Sequence, residues 1–155
     1  MVRTILLGGL AALALTAHPA RAAEACEGAA GAGKVKLTVT AEGVRNAQGE
    51  VAFTVYGDDE RRFLAKGGKL ARVRTPAAAP RTSACFWLSP GNYAVAIYHD
   101  ENGDRDFNRT LFKVKEGFGF SNDAPATLGL PAFSKARFAL PAGGTTIRIR
   151  MRYPK

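Results

Sequence analysis

The sequence predicts an all-β fold, an antiparallel β-sandwich of about seven strands with one long loop. Three observations lead there. Apolar residues recur at every second position in segment after segment, the period of a strand with one face buried. The segments are separated by Pro/Gly punctuation at 75–80, 89–92 and 141–144. No amphipathic stretch of three helical turns lies between them, and short strands joined by turns without helices indicate a sandwich or small barrel.

The first strand is predicted at Lys34 to Thr40, with Val35, Leu37 and Val39 on one face, and the second at Glu50 to Tyr56, with Val51, Phe53 and Val55 on one face. Arg45 to Gly49 reads as the turn between them. Further strands are expected at Lys69 to Arg74, Ala84 to Leu88, Tyr93 to Tyr98, Lys135 to Leu140 and Thr145 to Tyr153. Cys85-Phe-Trp-Leu88 alternates like a buried strand, which assigns Trp87 to the core rather than to a sugar-stacking platform.

Length and composition bound the function. A chain of 155 residues suits one domain. With 46% apolar and 23% charged residues, the composition excludes wholesale disorder, a fibrous rod and a polytopic membrane protein. The net charge of +9 attracts polyanions, which bears on association and not on fold.

Residues 1–22 read as a signal peptide. Arg3 precedes an apolar run from Ile5 to Ala17, too short to span a bilayer and suited to a signal-peptide core. His18-Pro19 breaks the helix, and Ala20-Arg-Ala22 offers small residues at alternate positions for cleavage after Ala22. The competing readings are an uncleaved anchor and a lipid anchor at Cys26, the latter opposed by Glu24 and the lack of a branched apolar residue before the cysteine. The expected mature protein is a single domain, 23–155, periplasmic or secreted, with no transmembrane anchor. Cleavage removes Arg3, Arg21 and no acid, so most of the positive charge stays.

Export gives the two cysteines a meaning. In an oxidising compartment Cys26 and Cys85 are expected to pair, closing a loop of about 60 residues that restricts the unfolded chain by roughly 4 kcal/mol in the entropy model. Two free thiols or a metal site are the alternatives. A single mature histidine and no CxxC spacing speak against zinc.

The segment from His99 to about Ala126 breaks the hairpin rhythm, and long ordered loops are usually functional. Oxygen-bearing side chains stand at alternate positions, Asp100, Asn102, Asp104, Asp106 and Asn108. Calcium takes six to eight oxygen ligands, and such a loop can wrap around it. The spacing resembles the first half of an EF-hand or dockerin loop, yet Arg105 and Leu111 stand where an EF-hand has its glycine and its bidentate glutamate. The competing reading is a metal-free turn whose Asp and Asn side chains bond back to the loop's own amides.

Leu88-Ser-Pro-Gly-Asn-Tyr-Ala-Val-Ala-Ile-Tyr-His-Asp-Glu-Asn-Gly103, then Glu116-Gly-Phe-Gly-Phe-Ser-Asn122, then Gly129-Leu-Pro-Ala-Phe-Ser134 resemble, in order, the three motifs of a family of exported bacterial proteins classed as an uncharacterised domain. The likeness runs over nearly all of Val35 to Tyr153. One departure is Val114, where members usually carry proline. More distantly the chain resembles Ig-like, prealbumin-like and carboxypeptidase-regulatory-like sandwiches. The resemblance implies the fold and export, and brings no established activity.

The remaining candidates are weighed on their residues. His99, Asp100 and Glu116, with Ser121 further along, are the groups a hydrolase-like enzyme would use. Adjacent strand residues face opposite ways, so Asp100 is badly placed to orient His99, and no G-x-S-x-G elbow surrounds Ser121. Gly117 to Asn122 is glycine-rich but lacks the strand-then-helix context of a phosphate cradle; Phe118 and Phe120 are expected to pin the loop to the core. Arg148, Arg150 and Arg152 alternate with Ile147, Ile149 and Met151, a stripe that suits an envelope polyanion or glycan and equally a solvated outer face that protects an edge strand. Nucleic acid is not an expected partner, because no recognition helix or stacking motif is present. The expected protein is therefore a non-enzymatic binding or envelope-associated module, with calcium the one candidate cofactor.

Overall fold

The computed structural model describes residues 25–107, 116–126 and 130–154. The predicted signal peptide, 1–22, and Asn108 lie outside the described residues. Eight strands are present: β1 (Val35–Glu42), β2 (Glu50–Tyr56), β3 (Ala71–Pro76), β4 (Arg81–Leu88), β5 (Gly91–Asp100), β6 (Gly117–Phe120), β7 (Phe138–Leu140) and β8 (Thr145–Arg150). One helical turn, α1 (Phe133–Ala136), precedes β7.

The strands form the expected sandwich. One sheet has the order β4-β1-β8; the other has the order β3-β2-β5-β6, with β7 paired to the start of β5. All pairings are antiparallel except β1 with β8, which is parallel. The core between the sheets is what alternation predicts: Leu37 and Val39 from β1, Val51, Phe53 and Val55 from β2, Phe86 from β4, and Ile149 from β8 are fully buried.

Four details depart from the expectation. The strand expected from Lys135 begins later, because Lys135 and Ala136 lie in α1. The last strand ends at Arg150, after which Arg152 forms an isolated bridge to Phe118 that joins the sheets along one side. Trp87 is not core: it has the opposite parity to the buried Phe86 and Leu88 and is half-buried beneath Glu27 and Gly28. The long segment also contains β6, antiparallel to β5 with Ala96 opposite Phe120 and Tyr98 opposite Phe118.

Glycine is what lets β6 lie where it does and also what hides it in the sequence. A Cβ on Gly119 would stand 2.5 Å from the Arg150 carbonyl oxygen, and one on Gly117 would overlap the Tyr153 ring. Glycine lowers strand propensity, so the segment reads as loop until its neighbours are known.

The cysteines pair as expected. Cys26 and Cys85 form a disulfide with an S–S distance of 2.01 Å. Around it the Glu27 amide donates to the Cys85 carbonyl and the Trp87 amide to the Glu27 carbonyl, each at 2.9 Å, so the amino-terminal segment continues the first sheet beside β4. No helix among the described residues is long and apolar enough to cross a membrane.

Candidate functional site

Alternation sends half of each strand's side chains away from the core, and on the second sheet those outward residues are not all polar. Thr54 and Tyr56 on β2, Ala94, Ala96 and Tyr98 on β5, and Phe118 and Phe120 on β6 occupy that outer face. The segment between β2 and β3 and the α1 turn fold over it, and a second apolar cluster forms from Ala94, Phe120, Ala124, Phe133 and Ala136, with Phe63, Leu64 and Phe118 packed against it. Phe118 and Phe120 thus pin the long segment to the outside of the sheet and not to the core between the sheets.

Among the described residues the cover is incomplete. The Phe63 ring packs on Tyr56 and Phe133, with centroids 5.3 and 5.5 Å apart. Phe107 packs on Tyr98 and Phe118, at 5.4 and 6.2 Å. Between these two groups of rings lies a cavity of about 510 Å³, bordered by Thr54, Tyr56, Arg72, Tyr98, Phe107 and Phe118. Small-molecule pockets commonly measure roughly 300–1,000 Å³ and combine apolar walls with a few polar groups. The polar groups here are the Arg72 guanidinium, whose Nε donates to Thr54 Oγ1 at 2.8 Å, the exposed Asp106, and the two tyrosine hydroxyls. Burial pushes the pKa values of Tyr56 and Tyr98 up, against the pull of the nearby arginines. Neither the cavity nor Arg72 was singled out from sequence. The available signal was that Val51 to Tyr56 and Tyr93 to Tyr98 are apolar at both parities, the mark of a strand covered on both faces.

The acidic loop starts at the end of β5 and is bonded largely to itself. Asp100 is fully buried. Its Oδ1 accepts the Gly103 amide and its Oδ2 the Arg105 amide, both at 2.8 Å, and Arg74 Nη1 donates to Oδ2 at 3.1 Å. Asn102 Nδ2 donates to Asp104 Oδ2 at 2.7 Å, and the Asp106 amide donates to Asp104 Oδ1 at 2.9 Å. Of the predicted cation ligands, Asp100 and Asp104 come together, and Glu116 joins them from the residue before β6: one oxygen of each lies within 4.8 Å of the others. Asp106 is not part of that group of carboxylates, and Asn102 adjoins it through its bond to Asp104. Three carboxylates at this spacing have the chemistry to hold a hard cation, although the Asp100 oxygens already serve the loop amides and Arg74.

Glu101, next in sequence, turns to a different partner. Arg45 grips both its oxygens, with Nε at 2.8 Å, and Asn46 Nδ2 donates at 2.7 Å. The Arg45 guanidinium holds the Glu101 carboxyl below the usual carboxylate range.

His99 is fully buried and both its ring nitrogens are engaged. Nε2 lies 2.7 Å from the Gln48 carbonyl and Nδ1 lies 2.8 Å from the Tyr153 hydroxyl. A carbonyl only accepts, so Nε2 carries a proton, and the Tyr153 hydroxyl, which accepts the Arg45 amide at 3.0 Å, pairs with Nδ1. The ring therefore ties β5 to the β1–β2 turn and to the chain after β8. Asp100 is bonded elsewhere, as adjacent strand positions require. Ser121 Oγ is equally committed: it accepts the Val95 amide at 2.9 Å and donates to the Ala136 carbonyl. The partners of His99 and Ser121 are thus groups that hold the fold together.

The arginine stripe is divided among three roles. Arg148 lies 3.6 Å from Glu42. Arg152 donates to the carbonyls of Ala124 and Asp123, at 3.2 and 2.7 Å. Arg150 is exposed, and its guanidinium makes no ion pair among the described residues. β8 is an edge strand, the position where outward charges discourage pairing with another chain.

No curated protein and no solved structure matches the chain. A family profile does: residues 39–148, from β1 into β8, match the family described as "Uncharacterized protein conserved in bacteria (DUF2141)", and the chain belongs to that family.

Proposed function

We propose that this protein is an exported, non-enzymatic binding module whose ligand site is the cavity on the outer face of the second sheet. The observation that carries this reading is the cavity itself, about 510 Å³ walled by aromatic rings around one arginine, on a face that the described residues cover only in part. Two further observations support it. The polar groups a hydrolase would need are engaged in holding the fold, as His99 and Ser121 illustrate. The Cys26–Cys85 disulfide suits an oxidising compartment, in keeping with a cleaved leader and a periplasmic or secreted protein.

An uncharged solvatochromic probe, N-phenyl-1-naphthylamine, tests the cavity. Wild-type protein is expected to give saturable, one-to-one fluorescence enhancement, and Ala96→Leu, which places a larger side chain in the cavity, to weaken it at least tenfold at unchanged melting temperature. Absence of saturable binding, or equal binding by Ala96→Leu, overturns the reading. For export, the protein recovered from a periplasmic fraction should begin at Ala23; retention of the first 22 residues would contradict it.

The convergence of Asp100, Asp104 and Glu116 favours a second reading, that calcium stabilises the acidic loop. Addition of millimolar calcium after chelation should then raise the melting temperature by several degrees, and an unchanged melting curve removes the reading.

A further inference from the structure

The chemistry of the cavity's ligand is set by a contrast on β3. Arg72 and Arg74 stand two positions apart and face the same side of the sheet, opposite Thr54 and Ala52. Arg74 is neutralised: it pairs with Asp100 at 3.1 Å, lies 3.8 Å from Glu50, and donates to the Arg105 carbonyl at 2.8 Å. Arg72 pairs with no carboxylate among the described residues. Its Nε is held by Thr54, its guanidinium also hydrogen-bonds the Tyr56 hydroxyl, an uncharged group at neutral pH, and its guanidinium carbon lies 5.9 Å from the Tyr98 ring centroid. Asp106, also on the cavity border, is exposed and forms no ion pair with it.

A half-buried guanidinium among aromatic rings, fixed at Nε and without a counter-charge, is a built anion receptor. The donors left over after Thr54 and Tyr56 belong to a planar, charged group suited to a carboxylate. A second hollow, of about 360 Å³, shares Arg72, Tyr56 and Leu64 with the first and adds Lys66 and Lys69. Arg72 therefore stands at the boundary between an apolar chamber and a cationic mouth.

We propose that the cavity binds an amphipathic carboxylate, its apolar body against the rings of Tyr98, Phe107 and Phe118 and its carboxylate on Arg72, with Lys66 and Lys69 flanking the mouth. This rests on the cavity being the ligand site. Arg72 is the one cation among the described residues that line the cavity itself, which favours a singly charged head group held there.

Isothermal titration of the full chain with decanoate, decanol and decyl phosphate, each below its aggregation threshold, tests the assignment in wild type and in Arg72→Gln. Decanoate is expected to bind at least tenfold more tightly than decanol. Arg72→Gln should weaken decanoate about tenfold, the scale of a lost charge-assisted hydrogen bond, while decanol binding and the melting temperature stay the same. Equal binding of decanoate and decanol, with no effect of Arg72→Gln, overturns the carboxylate assignment and leaves the cavity reading standing. Tighter binding of decyl phosphate than of decanoate overturns the choice of head group. Binding of none of the three overturns the cavity reading and this proposal together.

Discussion

The two faces of the second sheet are built from the same strands and end up as different materials. On the inner face Val51, Phe53, Val55, Val95 and Ile97 are at most 1% exposed, because another sheet lies against them and two pleated surfaces interdigitate. One residue along each strand, on the outer face, Thr54, Tyr56, Ala96 and Tyr98 meet a cover of loop and one helical turn. A loop must satisfy its own backbone groups and cannot tile a sheet as another sheet does. The difference teaches where space is left: the close-packed face stabilises the fold, and the outer face, as far as the described residues cover it, leaves the cavity that we propose as the ligand site.

Truncation tests this most strongly. Phe53→Ala should cost about 3–5 kcal/mol, the range for a fully buried aromatic, whereas Phe118→Ala, half-buried on the cavity wall, should cost no more than about 2 kcal/mol. Urea unfolding midpoints at constant m-value give both numbers. Equal costs would mean that the outer cluster is as tightly packed as the core. The arginine pair gives the next largest contrast. Arg74→Gln leaves the buried Asp100 without its counter-charge and should destabilise by about 3 kcal/mol, the lower end for breaking a buried pair, since two loop amides still bind Asp100. Arg72→Gln should change stability by about 0.5 kcal/mol or less. A large loss for Arg72→Gln in the same unfolding experiment would assign that residue to the fold and not to a ligand.

Smaller effects follow where the two sheets meet. Gly119→Ala must push Cβ against the Arg150 carbonyl and the Ile149 side chain, and overpacking of this kind costs roughly 1–3 kcal/mol; an unchanged thermal midpoint would show that β6 can move away from β8 freely. The smallest expected effect is the pH response of Glu101. Its native carboxyl titrates below its unfolded value of about 4.3 because Arg45 grips it. The pair therefore contributes its full stabilisation above that pH, and the contribution is lost as the pH falls through the depressed native value. With the Arg45 side chain 48% exposed, the contribution is less than about 1 kcal/mol. Glu101→Gln should flatten the acid limb of a stability–pH curve by that amount, and an unaltered limb would show the pair to be energetically neutral.

Much of the fold was legible residue by residue, because period-two alternation is a local property. All seven expected strands are present, the apolar parity chosen for β1 and β8 is the more buried one and that chosen for β2 faces the core between the sheets, and the two cysteines pair. β6 escaped because its glycines carry no strand preference and are required only by the closeness of Arg150 and Tyr153. Within the acidic loop, side chains bonding back to nearby amides were readable from the Asp/Asn spacing. The meeting of Glu116 with Asp100 and Asp104 was not, since it depends on β6 pairing with β5.

The sequence by itself determined the fold class, the faces of the strands, the disulfide and the turn-forming character of the acidic loop, all of which follow from spacing along the chain. Tertiary structure alone decided that Arg74 meets Asp100 while, among the described residues, Arg72 meets no acid and the outer face of one sheet is covered only in part, and that His99 is locked between Gln48 and Tyr153. Those outcomes depend on which residues distant in sequence arrive beside each other. Two arginines two positions apart on one strand are alike in sequence and differ in whether an acid from another strand reaches them.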